Sequence, residues 1–200
     1  MAKLSAEDVS RITTAFNKAT LWHAEQVRKG TDIPYLSHLM AVSSLVLQYG
    51  GTSIQAAAAL LHDSIEDAKD LAEAQARKAW ILDHLGREVL DIVLACSDGL
   101  PNEKGVKPPW KKRKIAYLRH LPQSNTNIWL VSCCDKLHNA QSIVDDLKEI
   151  GNKVWKRFNA RKKKQLWYYG KLAKFFVKKD VMPAKKLSNE VRKMIKLSLS

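Results

Sequence analysis

Apolar side chains recur every three to four residues along almost the whole chain, and this spacing constrains the fold more than any other feature. Residues 9–27 and 126–150 show it most clearly, because their apolar side chains would share one face of a helix. In no segment do apolar and polar residues alternate strictly, as they do in a half-buried strand. Residues 128–131 are rich in strand-forming side chains, but they lie inside one of the helical patterns. The sequence therefore predicts an all-α fold.

Glycine, proline and capping residues divide this pattern into separate helices. Ser5, with Asp8 three residues later, resembles the capping box that starts a helix, and Gly30 and Pro34 end the first one. Residues 54–61 are apolar almost all round, which predicts a central, buried helix. Helices are predicted over about residues 6–29, 37–49, 54–67, 71–85, 86–97, 108–121, 126–150, 160–179 and 183–199.

The charge of the chain is concentrated in its last quarter. Residues 1–150 hold 18 basic and 18 acidic side chains, whereas residues 151–200 hold 16 basic and 2 acidic ones and so carry the whole net charge of +14. A length of 200 residues predicts one domain, with a body over residues 1–180 and a basic helical C-terminal extension over residues 181–200. Such charge attracts phosphate-rich partners. A solvated lysine-rich face is the simpler interpretation, however, and nucleic acid is not the partner we expect.

Composition argues against membrane and disulfide-rich classes of protein. The densest apolar run, residues 56–61, is far shorter than the ~18–20 residues of a membrane span. The chain starts without an apolar signal segment. Three cysteines, two of them adjacent, cannot form a disulfide framework. We therefore expect a cytoplasmic protein with no membrane partner.

A group of ionisable residues ends the most apolar of the predicted helices. His62 and Glu66 are four residues apart, as are Asp63 and Asp67, so each pair would share a helix face. Ionisable side chains in an apolar segment need partners, because burying an unpaired charge is costly. His62 and Asp63 could both reach one cation. The two later carboxylates would then lie beside it, where a base or water-orienting group belongs.

Further candidate residues lie elsewhere in the chain. Asp135 and Asn139 share a helix face inside a second apolar segment, and His38 lies near the start of another helix. A lone histidine of this kind is more often structural than a metal ligand. Together with His62 and Asp63, however, these residues offer two imidazoles and two carboxylates. That donor set suits Mn²⁺, Fe²⁺ or a similar ion better than structural zinc, which prefers thiolates.

The order of these groups is that of the HD phosphohydrolase superfamily: a histidine, then His-Asp followed by Glu-Asp, then Asp followed by Asn. Residues 28–38, 59–67 and 135–139 also resemble the hydrolase domain of RelA/SpoT-type alarmone enzymes, and the likeness extends over about residues 5–175. The Glu66-Asp67 pair is specific to that branch. The resemblance implies an HD-domain helical bundle with a metal site between its central helices. The length of the chain is similar to that of small, stand-alone alarmone hydrolases.

The resemblance also implies roles for individual residues. The positions that bind one Mn²⁺ in the family correspond to His38, His62, Asp63 and Asp135. The catalytic pair corresponds to Glu66 and Asp67. The substrate contacts correspond to Arg28, Lys29, Asn139 and Tyr168. Relatives place further phosphate contacts near Lys104, Lys107 and residues 111–114, although a solvated basic face explains these side chains equally well.

The reaction that the resemblance implies is removal of the 3′-pyrophosphate from a (p)ppGpp-type nucleotide, giving GDP or GTP and pyrophosphate. Arg28 and Lys29 would neutralise phosphate charge in that reaction. The sequence leaves open (p)ppApp as the preferred substrate. It also leaves open another HD phosphohydrolase activity, such as that of an NADPH phosphatase, a nucleotidase or a phosphodiesterase. A nucleic-acid-binding protein with an inactive core is a further alternative, against which the intact metal positions argue.

Overall fold

The computed structural model describes residues 3–199, and the regular structure in this range is helical. The described residues form nine α-helices: Ala6–Trp22 (α1), Leu36–Gln48 (α2), Ser53–Leu61 (α3), Leu71–Leu85 (α4), Arg87–Cys96 (α5), Trp110–His120 (α6), Thr126–Ile150 (α7), Lys162–Lys178 (α8) and Ala184–Leu199 (α9). Two 3₁₀ segments, Leu121–Gln123 and Gly151–Arg157, follow α6 and α7. The predicted all-α class is confirmed, and the strand-prone residues 128–131 are part of α7.

The first helix is shorter than the sequence predicted. It ends at Trp22 rather than near Lys29, and residues 26–35 form a loop closed by an isolated antiparallel bridge. Gly30 turns this loop with a φ of 73°, in the left-handed region that favours glycine. Pro34 forms one side of the bridge, where its lack of an N–H is tolerated. The loop, not a helix, therefore carries the basic pair that precedes α2.

The third helix also ends earlier than predicted, at Leu61 rather than Asp67. The Ser64 hydroxyl donates to the Leu61 carbonyl at 2.7 Å, and Arg77 donates to the Ser64 carbonyl at 2.6 Å. These side-chain bonds occupy carbonyl groups that a continuing helix would use. Residues 62–67 consequently form a series of turns. The prediction that their ionisable side chains stack in pairs along an α-helix is therefore wrong.

Two clusters of buried apolar side chains lie on either side of α7. The first cluster is built by α1 to α5, and the second by α6, α8, α9 and the 3₁₀ segments. The adjacent residues Cys134 and Cys133 belong to the first and second cluster respectively, so α7 is shared by both. Asp135, the next residue, is 5% exposed. A polar side chain of α7 is thus buried where the two clusters meet.

The C-terminal helix packs onto the body of the protein. Leu187 and Met194 of α9 are fully buried in the second cluster, and α9 contacts both α7 and α8. Exposed basic residues such as Lys185 and Arg192 occupy the outer face of the helix. The boundary near residue 180 stays a prediction, but the segment beyond it contributes to the core. Within residues 3–199, none of the helices combines the length and apolarity that crossing a bilayer requires.

Candidate metal centre

Three side chains from distant parts of the chain meet between the two clusters. His38 comes from the first turn of α2, His62 directly follows α3, and Asp135 lies in the middle of α7. Donor atoms of all three lie within 4.8 Å of one another, and all three residues are buried. The fold thus brings together groups that are up to about a hundred residues apart in sequence, as the sequence predicted.

The fourth predicted ligand joins this group. The Oδ2 atom of Asp63 lies 3.0 Å from His62 Nε2 and 3.9 Å from His38 Nε2. The Oδ1 atom of Asp135 lies 3.6 Å from His62 Nε2 and 3.3 Å from His38 Nε2. Two imidazole nitrogens and two carboxylate oxygens therefore face one small volume.

The hydrogen bonding of the two rings shows that this volume suits a cation. Among the described residues, neither His38 Nε2 nor His62 Nε2 has a hydrogen-bond partner, although both atoms are buried. The Nδ1 atom of His62 lies 2.7 Å from the Ala59 carbonyl oxygen, so the neutral ring carries its proton on Nδ1 and has its lone pair on Nε2. Buried polar atoms without partners are uncommon and costly. A divalent cation would satisfy both nitrogens.

Electrostatics keep the two carboxylates ionised. Burial works to raise the pKa of Asp135, but the Lys136 ammonium and the neighbouring imidazoles hold that pKa well below its usual range. Burial opposes ionisation of Asp63 too, yet the positive charge on His62 lowers the pKa of this carboxyl. For His38, burial is the dominant effect and lowers the pKa, which favours the neutral ring. Burial works to lower the pKa of His62, but the neighbouring Asp63 and Asp135 carboxylates raise it well above its ordinary value. The ionised carboxylates and the neutral His38 ring are in the states that metal binding requires, whereas a metal would displace a proton from His62.

A cavity of about 260 Å³ opens beside Asp63 and Asp135. Its walls carry four basic side chains, Lys29, Arg113, Lys114 and Lys136, and six aromatic ones, Tyr35, Trp110, Tyr117, Phe158, Tyr168 and Tyr169. Burial, followed by repulsion from Lys136, lowers the pKa of Lys114 to about 8. Cations that repel one another in a buried place favour binding of an anion there.

Glu66 lines the same cavity and is held by several donors. Its Oε1 atom accepts from Arg113 at 3.2 Å and from Lys107 at 3.4 Å, and its Oε2 atom accepts from the Asp98 backbone N–H at 3.1 Å. Burial and then the negative charge of Asp63 raise the pKa of Glu66 above its ordinary value. A carboxyl with a raised pKa beside a metal site is suited to acid–base chemistry.

Asp67, the second member of the predicted catalytic pair, faces a different space. It lines an adjoining cavity of about 700 Å³ and accepts hydrogen bonds from Gln26 at 2.9 Å and from Lys107 at 3.1 Å. The two cavities share several lining residues, including Lys29 and Asn139. The two neighbouring carboxylates therefore lie in different spaces: Glu66 lines the smaller cavity beside the metal-binding donors, and Asp67 lines the larger cavity.

The predicted substrate contacts all line one or both of these cavities. Arg28 lines the larger cavity and donates to Asn139 Oδ1 at 3.2 Å. The Asn139 amide donates in turn to Asp135 Oδ1 at 2.5 Å. Lys29 lines both cavities. Tyr168 is 3% exposed and lines the smaller cavity, with its hydroxyl unpartnered among the described residues.

Comparison with known proteins identifies the family. The HD domain family matches residues 15–165, which is most of the chain. The chain belongs to the HD domain family. Solved structures show the same fold. A metazoan orthologue of SpoT, described as hydrolysing ppGpp, superimposes on this HD domain protein with a TM-score of 0.57 and 23% identity, covering 100% of this chain and 93% of that one. A Listeria monocytogenes protein gives a TM-score of 0.61 at 22% identity, covering 82% and 99%.

Curated sequences add relatives with longer chains. A Mycoplasma pneumoniae protein named as a probable guanosine-3′,5′-bis(diphosphate) 3′-pyrophosphohydrolase is 26% identical over 147 residues, which cover 70% of this chain and 19% of the relative. A GTP pyrophosphokinase of Streptomyces coelicolor is 25% identical over 143 residues, covering 70% and 16%. This HD domain protein thus spans less than a fifth of the length of these relatives.

Sequence reasoning left one group of side chains around the centre open and missed two others. Of the basic residues in 111–114, only Arg113 and Lys114 line the smaller cavity, and the Asp98 carboxylate accepts from both. The spacing of residues 110, 113, 114 and 117 along one helix face could have identified this pair. The Tyr35 hydroxyl donates to Asp63. The third group, His138, contacts His38, and no local pattern in the sequence links these two distant residues.

Proposed function

We propose that this HD domain protein is a metal-dependent hydrolase that removes the 3′-pyrophosphate from (p)ppGpp-type nucleotides, giving GDP or GTP and pyrophosphate. The observation that carries the proposal is the convergence of His38, His62 and Asp135 beside a cavity with cationic walls. The names of the Mycoplasma relative and of the metazoan structural neighbour support this choice of substrate.

The proposed ligands are His38, His62, Asp63 and Asp135, and the proposed ion is Mn²⁺. Two imidazole nitrogens and two carboxylate oxygens form a mixed donor set without thiolate, which suits Mn²⁺ and similar divalent ions. When bound, such an ion lowers the pKa of water towards ~7 and so provides a nucleophile at neutral pH.

Glu66 is the residue that we assign to proton transfer. It shares the smaller cavity with Asp63 and Asp135, and its raised pKa lets it exchange a proton closer to neutrality than an ordinary glutamate does. Asp67 supports it from the adjoining cavity, where Lys107 bonds to both carboxylates. In this assignment Glu66 orients the attacking water and accepts its proton.

The cationic walls bind the pyrophosphate that leaves. Arg113 and Lys114 extend into the smaller cavity from one face of α6, and Lys136 enters it from α7. Preorganised cations of this kind stabilise the charge that develops on transferred phosphate. The loop that carries Arg28 and Lys29 lines the larger cavity, and Lys29 lines both cavities, so we assign this loop to the rest of the nucleotide.

The remaining substrate contacts orient the nucleotide. Asn139 bonds to a proposed metal ligand on one side and to Arg28 on the other, so it links the metal centre to the substrate loop. The Tyr168 hydroxyl is available to a ligand in the smaller cavity. The proposal includes a cytoplasmic location, because Cys96, Cys133 and Cys134 are free thiols, as expected in a reducing compartment.

A panel of nucleotides tests the proposal. The full chain is incubated with Mn²⁺ and ppGpp, ppApp, NADPH, a deoxynucleoside triphosphate or a cyclic dinucleotide, and the products are separated by anion exchange. We expect pyrophosphate and GDP from ppGpp, and no pyrophosphate after chelation of the metal. Release of pyrophosphate from ppApp at a higher rate would change the preferred base. Release of inorganic phosphate from NADPH alone, or no pyrophosphate from either alarmone, would contradict the proposal.

A further inference from the structure

His138 contacts the candidate metal centre without belonging to it. Its Nδ1 atom lies 2.8 Å from Nδ1 of His38, and the centroids of the two rings are 4.9 Å apart. His38 is fully buried, whereas His138 is partly exposed. The second ring therefore lies between the buried centre and the surface of the protein.

The contact between two Nδ1 atoms restricts the proton positions on both rings. A hydrogen bond at 2.8 Å requires one proton between the nitrogens, so one ring donates and the other accepts. If His138 donated, a neutral His38 would carry its proton on Nε2, and that atom could not bind a metal. If His38 donates, its Nε2 lone pair faces the carboxylates and is free for a ligand bond. Metal binding through His38 Nε2 thus requires His138 Nδ1 to be the acceptor.

We propose that His138 is a positioning residue that accepts the Nδ1 proton of His38 and so fixes the tautomer and orientation of that metal ligand. The inference rests on the proposed metal-dependent function. Groups that bond to the far nitrogen of a liganding histidine commonly set its basicity and ring angle. For His62 the corresponding group is the Ala59 carbonyl, whereas for His38 it is a side chain that can be substituted.

The position of His138 on α7 explains how one helix serves both sides of His38. Asp135 and His138 are three residues apart, about one helical turn, so their side chains lie on neighbouring parts of the same face. Asp135 Oδ1 approaches His38 Nε2 at 3.3 Å, and His138 approaches the opposite nitrogen. Behind His138 lies a solvent-facing cavity of about 350 Å³ that is lined by polar side chains. The α7 backbone thus holds His38 between a ligand and an acceptor.

Two substitutions at this position separate acceptance of a hydrogen bond from packing. In His138→Asn the amide oxygen is bonded to Cγ, as Nδ1 is in histidine, so an acceptor remains. In His138→Leu the side chain fills similar space without an acceptor. The control is Gln141→Leu, which changes a residue of the same solvent-facing cavity that is not assigned to the site. Each full-length protein is stripped of metal with a chelator and titrated with Mn²⁺ by isothermal calorimetry.

We expect His138→Leu to weaken Mn²⁺ binding about 10- to 100-fold, while His138→Asn and the control bind nearly as tightly as the wild type. Unfolding temperatures of the metal-free proteins are compared in parallel, because a packing role would lower them without a selective loss of affinity. Equal Mn²⁺ affinity of His138→Leu and the wild type would overturn the inference. So would an Asn variant as weak as the Leu variant. A wild type that binds no divalent ion would instead refute the metal-dependent function itself.

Nitrogen-15 NMR of the histidine rings gives a test that needs no variant. With diamagnetic Zn²⁺ as the probe ion, we expect the wild-type His38 ring to carry its proton on Nδ1 and the His138 ring to lack one there. A proton found on Nδ1 of His138 would exclude it as the acceptor, whatever the variants show. This measurement is also independent of which nucleotide the protein hydrolyses.

Discussion

The two buried clusters on either side of α7 contribute different chemistry to the same site. Residues that follow or begin helices of the first cluster provide His38, His62 and Asp63. Helices of the second cluster provide Arg113 and Lys114 from α6 and aromatic rings from α8. One side thus supplies the metal donors, and the other supplies Arg113 and Lys114 to the cationic wall. The candidate metal centre and its cavity are therefore formed where the two clusters meet, and neither cluster forms them alone.

Ion pairs join the two sides across the smaller cavity. Arg113 bonds to Glu66 and Asp98, and Lys107 bonds to Glu66 and Asp67. The same cations would contact phosphate in the proposed reaction, so a bound nucleotide competes with these carboxylates for them. Partly buried pairs of this kind set geometry more than they add stability. Substitutions on each side should therefore differ in whether they affect catalysis or folding.

The largest effect is expected where α7 contributes directly to the metal centre. Asp135→Asn removes the charge that faces both imidazoles, and we expect kcat/KM for ppGpp to fall at least about 1,000-fold, since a catalytic metal contributes several kcal/mol to transition-state stabilisation. Initial rates of pyrophosphate release with Mn²⁺ measure this. Asp91→Asn, an exposed substitution on α5, is the control and should leave the rate unchanged. A variant that kept a tenth of the activity would show that the centre does not depend on α7.

A smaller loss of activity is expected for substitution of Glu66, which follows α3 of the first cluster but is bonded to Arg113 of α6 in the second cluster. We expect Glu66→Gln to lower kcat about 100-fold, within the range that a general base contributes. The base acts when it is ionised, so wild-type activity should fall as the pH drops through the raised pKa of Glu66. The variant should lose that limb of the profile. Steady-state rates across pH measure it, with Glu103→Gln in the exposed loop as the control.

If the fall in activity at low pH is unchanged in Glu66→Gln, then protonation of another group causes it. Asp67→Asn then becomes the informative variant, because Asp67 shares Lys107 with Glu66 but lines the other cavity. A variant of Asp67 that lost the limb would reverse the roles that we propose for the two carboxylates.

How much the sequence could predict depends on whether the signal is local. Helix period located α4 and α7 with the observed bounds, and the motif order identified all four proposed metal donors. The early end of α3 depends on tertiary bonds such as that from Arg77 to the Ser64 carbonyl, which no local pattern reveals. The contact between His138 and His38 was missed for the same reason, since 100 residues separate the two rings.

A stability measurement tests the interpretation of the C-terminal segment as a separate extension. Leu187→Ala removes a fully buried side chain of α9 from the second cluster, and we expect it to lower the free energy of unfolding by about 2–5 kcal/mol. Lys185→Ala, on the exposed face of the same helix, should change it by less than about 0.5 kcal/mol. Urea denaturation followed by circular dichroism measures both. A loss below about 1 kcal/mol in Leu187→Ala would mean that α9 folds apart from the body.

The smallest effect is expected far from the contact between the two clusters, at the start of α1. Hydrogen bonds from the Ser53 hydroxyl and from the Ser5 backbone and side chain lower the pKa of Asp8 from 3.8 to about 2. A carboxyl whose pKa is lower in the folded state contributes stability that is complete above its ordinary pKa and is lost as the pH falls towards 2.

Asp8→Asn removes this dependence while its amide oxygen can still accept from Ser5, so we expect a fall of only a few degrees in unfolding temperature near neutral pH. The difference between the wild type and the variant should narrow as the pH falls below 3.8, and hydrolysis of ppGpp should be unaffected. Thermal unfolding by circular dichroism between about pH 2 and 6 measures the narrowing, with Asp91→Asn again as the control. Parallel curves for Asp8→Asn and the wild type would show that the link between α1 and Ser53 of α3 carries no charge-dependent stability. The start of α1 would then owe its stability to apolar packing rather than to its ionised groups.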